Sequence, residues 1–427
     1  MLYSLFELNR MALAPWRAAA LAQNALLTSP LNPLAQTDVV KNAIAAGEVF
    51  ESVTRSYLKP QWHIHSTRIA GVDVPVTPTP VWESAWCALI KFEREADALK
   101  KAQSDKKRGD PRVLIVAPMS GHYATLLRGT VETFLPDHEV YITDWADARL
   151  VPIFAGRFDL HDYIDHVRAM LAVVGGGANV IAVCQPGPPV LAAVTLMEED
   201  GDRALPATMA FMGSPIDARR SPTAPNVLAM EKPFSWFEQQ MIHTVPPIYP
   251  GAFRRVYPGF VQLANFMGMN LSRHVDAHWD FFNHLVIGDG DEAQKHRAFY
   301  EEYLSVMDLT EEFYLQTIRD VFQDHLLPRG AFRHRDRKVR PERIRKVALM
   351  TIEGEKDDIA GIGQTQAAHD LCAALPPEMR LDYVQPGVGH YGVFNGRRFA
   401  TEIYPRMREF IRQFSQKPRL KLVSDAA

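Results

Sequence analysis

The sequence predicts an α/β fold: a mainly parallel sheet covered by helices, preceded by a helical segment and interrupted by an aromatic-rich insertion. Three observations carry this. Short apolar runs, Val113 to Ala117, Glu139 to Thr143, Asn179 to Val183 and Thr208 to Met212, alternate with helix-compatible stretches, the rhythm of strands joined by crossover helices. The rhythm lapses between residues 216 and 340 and resumes with Val347 to Ile352 and Leu381 to Val384, so an insertion separates two late strands. At 427 residues the chain also exceeds the usual size of a single hydrophobic core.

Taken in order, residues 1–105 read as a helical segment followed by edge strands. Up to Lys59 the text is rich in Ala and Leu, with Val39, Ala43, Ile44 and Phe50 at helical spacing. Met11 to Leu27 is apolar but interrupted by Pro15 and Arg17. It reads as an amphipathic helix packed on its own domain rather than as a signal peptide or transmembrane segment, with contact to a hydrophobic granule or membrane as the competing reading. Ile69, Val72, Val74 and Val76 then alternate ahead of Pro78 and Pro80, the pattern of antiparallel edge strands.

The polar run Lys100 to Pro111 marks a boundary, leaving residues 106–427 as the catalytic domain and residues 216–340 as a lid within it. That lid carries Phe234, Trp236, Phe237, Tyr257, Phe266 and Trp279 among other aromatics. The basic stretch Arg333 to Arg345 reads as a solvated return from it.

Composition narrows the function. With 47% hydrophobic and 23% charged residues the chain is an ordinary globular protein. A formal net charge of -3 provides no basic field for a polyanion, which argues against nucleic acid as a partner. Only 3 cysteines, Cys87, Cys184 and Cys372, are present; an odd, scattered set fits a reducing cytoplasm. His63 and His65, on an apparent strand, lack a third and fourth ligand, so no metal is implied. Gly175, Gly176 and Gly177 precede a strand rather than follow one, so no phosphate-binding loop and no cofactor is implied either.

The chemistry concentrates where three predicted strands end. Val180, Ile181 and Val183 lead into Cys184, Gln185, Pro186 and Gly187, followed by a helix-compatible stretch from Pro188. Strand, sharp turn and helix make a nucleophile elbow, whose helix N-terminus favours a thiolate. Ala182 supplies the small residue such an elbow wants two before the nucleophile; Pro186 departs from the one wanted two after it. Taken alone, Cys184 reads rather as a buried structural cysteine than as a nucleophile.

Chain order shifts that balance, because an α/β-hydrolase runs nucleophile, acid, histidine. Val347 to Ile352 is followed by Glu353, Gly354, Glu355, Lys356, Asp357 and Asp358. Asp357, three residues after the glycine, is the expected acid, with Asp358 the alternative. Leu381 to Val384 is followed by a glycine-rich loop holding His390, the expected general base. Backbone N–H groups of Gln185 and of Met119 or Ser120, in the turn after Val113 to Ala117, are candidates for an oxyanion hole. His122 in that turn, with Trp236 and Phe237, is a candidate for substrate contact.

With Cys184, Asp357 and His390 in hand, the sequence resembles the intracellular poly(3-hydroxybutyrate) depolymerases, relatives of polyhydroxyalkanoate synthases. The resemblance spans almost the whole chain: the opening Met1, Leu2, Tyr3, then Leu13, Ala14, Pro15, Trp16, the elbow Val183-Cys184-Gln185-Pro186, and Gly213-Ser214-Pro215-Ile216-Asp217. It implies a Cys-Asp-His triad that hydrolyses stored polyester at a granule surface to 3-hydroxybutyrate oligomers or monomers. Water or a thiol such as coenzyme A would be the acyl acceptor. A synthase-like acyltransferase is the nearest alternative, disfavoured because Pro186 and Gly187 stand where synthases place glycines. A non-catalytic granule-binding protein is the alternative from another class.

Overall fold

A computed structural model describes residues 2–103, 109–269 and 271–415. Nine strands form its main sheet: β1 (Ser66–Ile69), β2 (Val72–Glu83), β3 (Cys87–Arg94), β4 (Arg112–Val116), β5 (Glu139–Trp145), β6 (Asn179–Val183), β7 (Thr208–Met212), β8 (Ala348–Gly354) and β9 (Arg380–Gln385). They lie in the order β1-β2-β3-β5-β4-β6-β7-β8-β9. β4 to β9 run parallel, while β1, β2 and β3 add on antiparallel.

The order follows from burial on both faces. Val113 and Ile115 of β4 face one apolar core, with the helices Arg128–Phe134 and Tyr404–Ser415. Leu114 and Val116 face another, with Leu160–Val174 and Gly187–Glu199. A strand buried on both sides reads as a continuous apolar run, and this is why the parallel strands are visible in the sequence. The crossover topology is that of an α/β-hydrolase.

β1, β2 and β3 form the antiparallel end of the sheet, but of these only β1 is an edge strand, because β2 is flanked by β1 and β3, and β3 pairs on with β5, so one sheet continues across the expected division at 105/106. The division itself, the middle of the polar run and Met1 lie outside the described residues. His63 and His65 precede β1 rather than sit on a strand, and His63 takes a φ of 50°. Among the described residues no group of three or more His, Cys, Asp or Glu is arranged to hold a metal ion.

Helices α1 (Leu2–Leu27) and α2 (Asp38–Thr54) form a hairpin against the lid. In α2 the inward residues are Val40 and Ala45 while Val39 is exposed, one position off the expected stripe. α1 buries Tyr3 and Glu7 and leaves most of its large apolar residues outside, the reverse of a helix packed through its apolar side.

Between β7 and β8 lies the expected insertion. Its helices include Ala224–Glu231, Phe234–Gln240, Gly259–Met269, Leu271–Ile287 and Gly290–Tyr303, with a small antiparallel sheet of His243–Thr244, Arg255–Tyr257 and Leu309–Thr310. The basic return is not simply solvated. Arg335 pairs with Asp162 and Asp165, and Arg337 with Glu199 and Asp200, clamping a hairpin onto two sheet-covering helices.

Candidate active site

β6 ends at Val183 in the middle of the sheet, and the next residue, Cys184, takes a φ of 66°. A left-handed non-glycine residue costs about 1–2 kcal/mol, so the surrounding bonds must hold it. Cys184 N–H donates to Met212 O at 2.8 Å, and Cys184 O accepts from Gly187 N–H at 3.2 Å, where the helix Gly187–Glu199 begins. Pro186 occupies the N-cap position, and its missing N–H costs nothing there. The close approach falls instead to Gly187: a Cβ there would stand 2.5 Å from Ser214 Cβ. The departure from the usual elbow at Pro186 is thus absorbed by the glycine after it.

β8 ends at Gly354, and Asp357 follows in the turn. Its Oδ1 accepts from the N–H groups of Ile359 and Ala360 at 2.9 and 2.8 Å. Its Oδ2 lies 2.8 Å from His390 Nδ1. Asp358 is exposed at the same turn and does not make this contact.

His390 opens a short turn after β9 and packs edge-on against Phe394. With Nδ1 given to Asp357, the ring lines the same cavity as Cys184. Burial disfavours the imidazolium, but the charges of Cys184 and Asp357 outweigh it, and the His390 pKa is raised well above its ordinary value.

The remaining candidates converge on one cavity of about 520 Å³, lined by Cys184 and His390 together with Met119, Ser120, Gln185, His122, Trp236 and Phe237. Asp357 stands behind His390, outside the lining. The backbone N–H groups of Met119, Ser120 and Gln185 have no acceptor among the described residues. Trp236 and Phe237 meet edge-on at 5.0 Å and also belong to the lid's own packing.

His122 serves two purposes. Its Nε2 lies 3.0 Å from Tyr303 O, and its backbone bridges to Val306, so it ties the turn after β4 to the lid. Burial pushes its pKa down to about 4, so the ring is neutral.

Two residues that stand in the motifs above without a role are central here. Glu353, buried at the end of β8, accepts N–H bonds from Gly363, Thr365 and Gln366, fixing the loop that follows Asp357. Gly213, with a φ of 54°, leaves space for the His390 ring. A glutamate inside an apolar strand is the one sequence signal that singles out the first. Asn226 has no such signal: its Oδ1 accepts from Thr223 and Gln364, joining the lid's first helix to the same loop.

A thiol and an imidazole on the wall of one apolar cavity, with a carboxylate bonded to the imidazole, can carry nucleophile, base and orienting chemistry.

Residues 213–415 match the family described as PHB de-polymerase C-terminus. No curated relative matches the chain. Similar solved structures include a putative lipase from Acinetobacter baumannii, at 10% identity over 80% of this chain and 93% of that one, with a TM-score of 0.41. A soluble variant of monoglyceride lipase from Saccharomyces cerevisiae shares 9% identity over 79% and 96%, with a TM-score of 0.46. A 2-hydroxy-6-oxo-6-phenylhexa-2,4-dienoate hydrolase from Rhodococcus sp. strain RHA1 shares 8% over 80% and 99%, with a TM-score of 0.43.

Proposed function

We propose, from the match of residues 213–415 to the PHB de-polymerase C-terminus family and the α/β-hydrolase sheet, that the chain cleaves the ester bonds of stored poly(3-hydroxybutyrate) with Cys184 as nucleophile. The observation that carries the reading is the pairing of Cys184 and His390 on the wall of an apolar cavity large enough for a stretch of polyester, with Asp357 bonded to His390 from behind.

Cys184 Sγ attacks the ester carbonyl carbon while His390 holds the thiol proton. The N–H groups of Gln185 and of Met119 or Ser120 hold the negative oxygen of the tetrahedral intermediate. The C–O bond then breaks, His390 gives the proton to the departing hydroxyl oxygen, and an acyl-thioester remains on Cys184. Asp357 keeps His390 in the tautomer that receives and returns that proton. Water, losing its proton to His390, attacks the thioester carbonyl carbon; the C–S bond breaks, the Cys184 sulfur takes the proton back from His390, and the free 3-hydroxybutyrate oligomer or monomer leaves, while a thiol such as coenzyme A in place of water leaves as a thioester. Trp236 and Phe237 bear on the polymer chain. No described helix is long and apolar enough to cross a membrane, and the reading makes the enzyme a cytoplasmic one working at granules.

The test is release of acid from amorphous poly(3-hydroxybutyrate) particles by the parent beside Cys184→Ala, Cys184→Ser and His390→Ala, with folding followed by circular dichroism. The parent is expected to degrade the polymer and folded Cys184→Ala and His390→Ala to be inert. A folded but inert parent sinks the reading, and polymer formed from 3-hydroxyacyl-coenzyme A favours an acyltransferase. Mass spectrometry of products with and without coenzyme A identifies the acceptor.

A further inference from the structure

α1 is turned inside out. Its only charged residues are Glu7, Arg10 and Arg17, and all three look toward the protein. Glu7 is buried, pairs with Arg10 at 2.7 Å and accepts from Tyr249 OH at 2.8 Å. Arg17 donates to Thr54 O at 2.7 Å. Leu5, Leu8, Met11, Trp16, Leu21 and Leu26 are each more than half exposed, and the three charged residues interspersed among them in sequence are turned to the protein. An ordinary surface helix does the opposite. The result is an apolar, uncharged strip about 39 Å long, continued past the helix end by exposed Leu31 and Leu34.

An exposed apolar strip of this size calls for a covering surface, and charge says which kind. Helices that lie on anionic bilayers flank the apolar side with Lys and Arg; here both arginines are spent inward. An uncharged apolar surface fits.

The strip also adjoins the candidate site. Tyr3 and Phe6 pack on Phe260, with ring centroids 5.3 and 4.0 Å away. The helix bearing Phe260, Gly259–Met269, gives Gln262 and Phe266 to the cavity wall. One helix therefore has the strip on one side and the cavity on another.

We propose that the outer face of α1 is the surface by which the enzyme adsorbs to its insoluble polyester, bringing the cavity to the polymer. The proposal rests on the depolymerase reading for the identity of the surface.

The experiment uses the full chain and the triple variant Leu8→Lys/Trp16→Lys/Leu26→Lys, whose positions are exposed and away from the cavity. Co-sedimentation is measured with amorphous poly(3-hydroxybutyrate) particles and with phosphatidylglycerol vesicles, and turnover with soluble 4-nitrophenyl butyrate. The parent is expected to sediment with the particles in preference to the vesicles. The triple variant should lose roughly tenfold or more of that adsorption and of particle hydrolysis, with soluble turnover unchanged. Undiminished adsorption by the variant overturns the proposal, as does a parent that prefers the vesicles. A parent dimer that the variant dissociates, with adsorption unaltered, overturns it in favour of a second copy covering α1. Adsorption is read apart from hydrolysis: a parent that adsorbs through α1 without cleaving the polymer sinks the depolymerase reading alone.

Discussion

Gly213 backs directly onto His390: a Cβ on Gly213 would stand 3.1 Å from His390 Cε1 and 3.2 Å from both His390 Nδ1 and Asp357 Oδ2. The same glycine has a φ of 54° and donates its N–H to Ile352 O, which fixes it to β8. Gly213→Ala therefore meets two penalties. The left-handed backbone costs about 1–2 kcal/mol of stability, and the methyl displaces the ring. The second effect dominates activity, because a small misplacement of a catalytic group costs on the order of 10²-fold. Thermal unfolding beside kcat/KM on a soluble ester checks this; an alanine variant with parental kcat/KM would mean that the ring position is not held here.

Asp357 and Cys184 together raise the His390 pKa against burial. Asp357→Asn removes one of those charges, so the imidazolium is lost at a lower pH. The alkaline limb of kcat/KM should move toward acid, and kcat should fall about 10²-fold or more. The stability consequence has a definite sign. A group whose folded pKa is raised contributes stability below its unfolded pKa, near 6.5 for imidazole, and loses it as pH rises through the folded value. Parent and variant should therefore differ most in unfolding free energy below neutrality and converge in alkali. An unmoved limb in the pH–rate profile would remove Asp357 as the charge partner.

Cys184 and Asp357 are legible in the sequence because β6 and β8 are buried on both faces and announce themselves, whereas His390 follows the half-exposed edge strand β9 and is read from its glycine-rich loop. What surrounds them is not. Gly213 meets His390, and Glu353 meets Gly363, Thr365 and Gln366, through turns whose shape no local pattern records. The inward packing expected of α1 fails for the same reason: its apolar spacing suggests burial, but the side that docks is chosen by Tyr3 and Glu7, whose partners Asp308 and Tyr249 are hundreds of residues away.

Asp308, which holds α1 through Tyr3, gives the fold a pH dependence. It is buried, receives the Tyr3 hydroxyl at 2.6 Å and Gly259 N–H at 2.8 Å, and lies beside buried Asp147. Burial and the Asp147 charge push its pKa up to about 7, against the nearby Arg149. A raised carboxyl pKa favours the protonated form, so its contribution is present in acid and is lost as pH rises through about 7. The fold should on this account be more stable at acid than at alkaline pH, even though the Tyr3 hydroxyl bond by itself favours the carboxylate. The unfolding free energy should fall as pH rises through this window, and Asp308→Asn should flatten the trend. An equal trend in the variant would place the titration elsewhere.

Glu353 supports the acid without touching histidine. Its Oε1 accepts from Thr365, Gly363 and Gln366 at 2.7, 3.0 and 3.1 Å, and its Oε2 accepts from Gly363 at 2.8 Å. The loop so held begins with Ile359 and Ala360, whose N–H groups fix Asp357 and whose side chains line the cavity. Glu353→Gln keeps one carbonyl acceptor but turns an amide donor toward other donors, whereas Glu353→Ala abandons every bond in a buried site. Stranded donors of this kind cost about 1–3 kcal/mol each. Stability should fall in the order parent, Gln, Ala, and kcat should fall in the same order, because a loosened loop releases Asp357 from His390. Denaturant unfolding and steady-state kinetics on the two variants separate the effects. Loss of stability with kcat unchanged would show that Asp357 is held without the Glu353 loop.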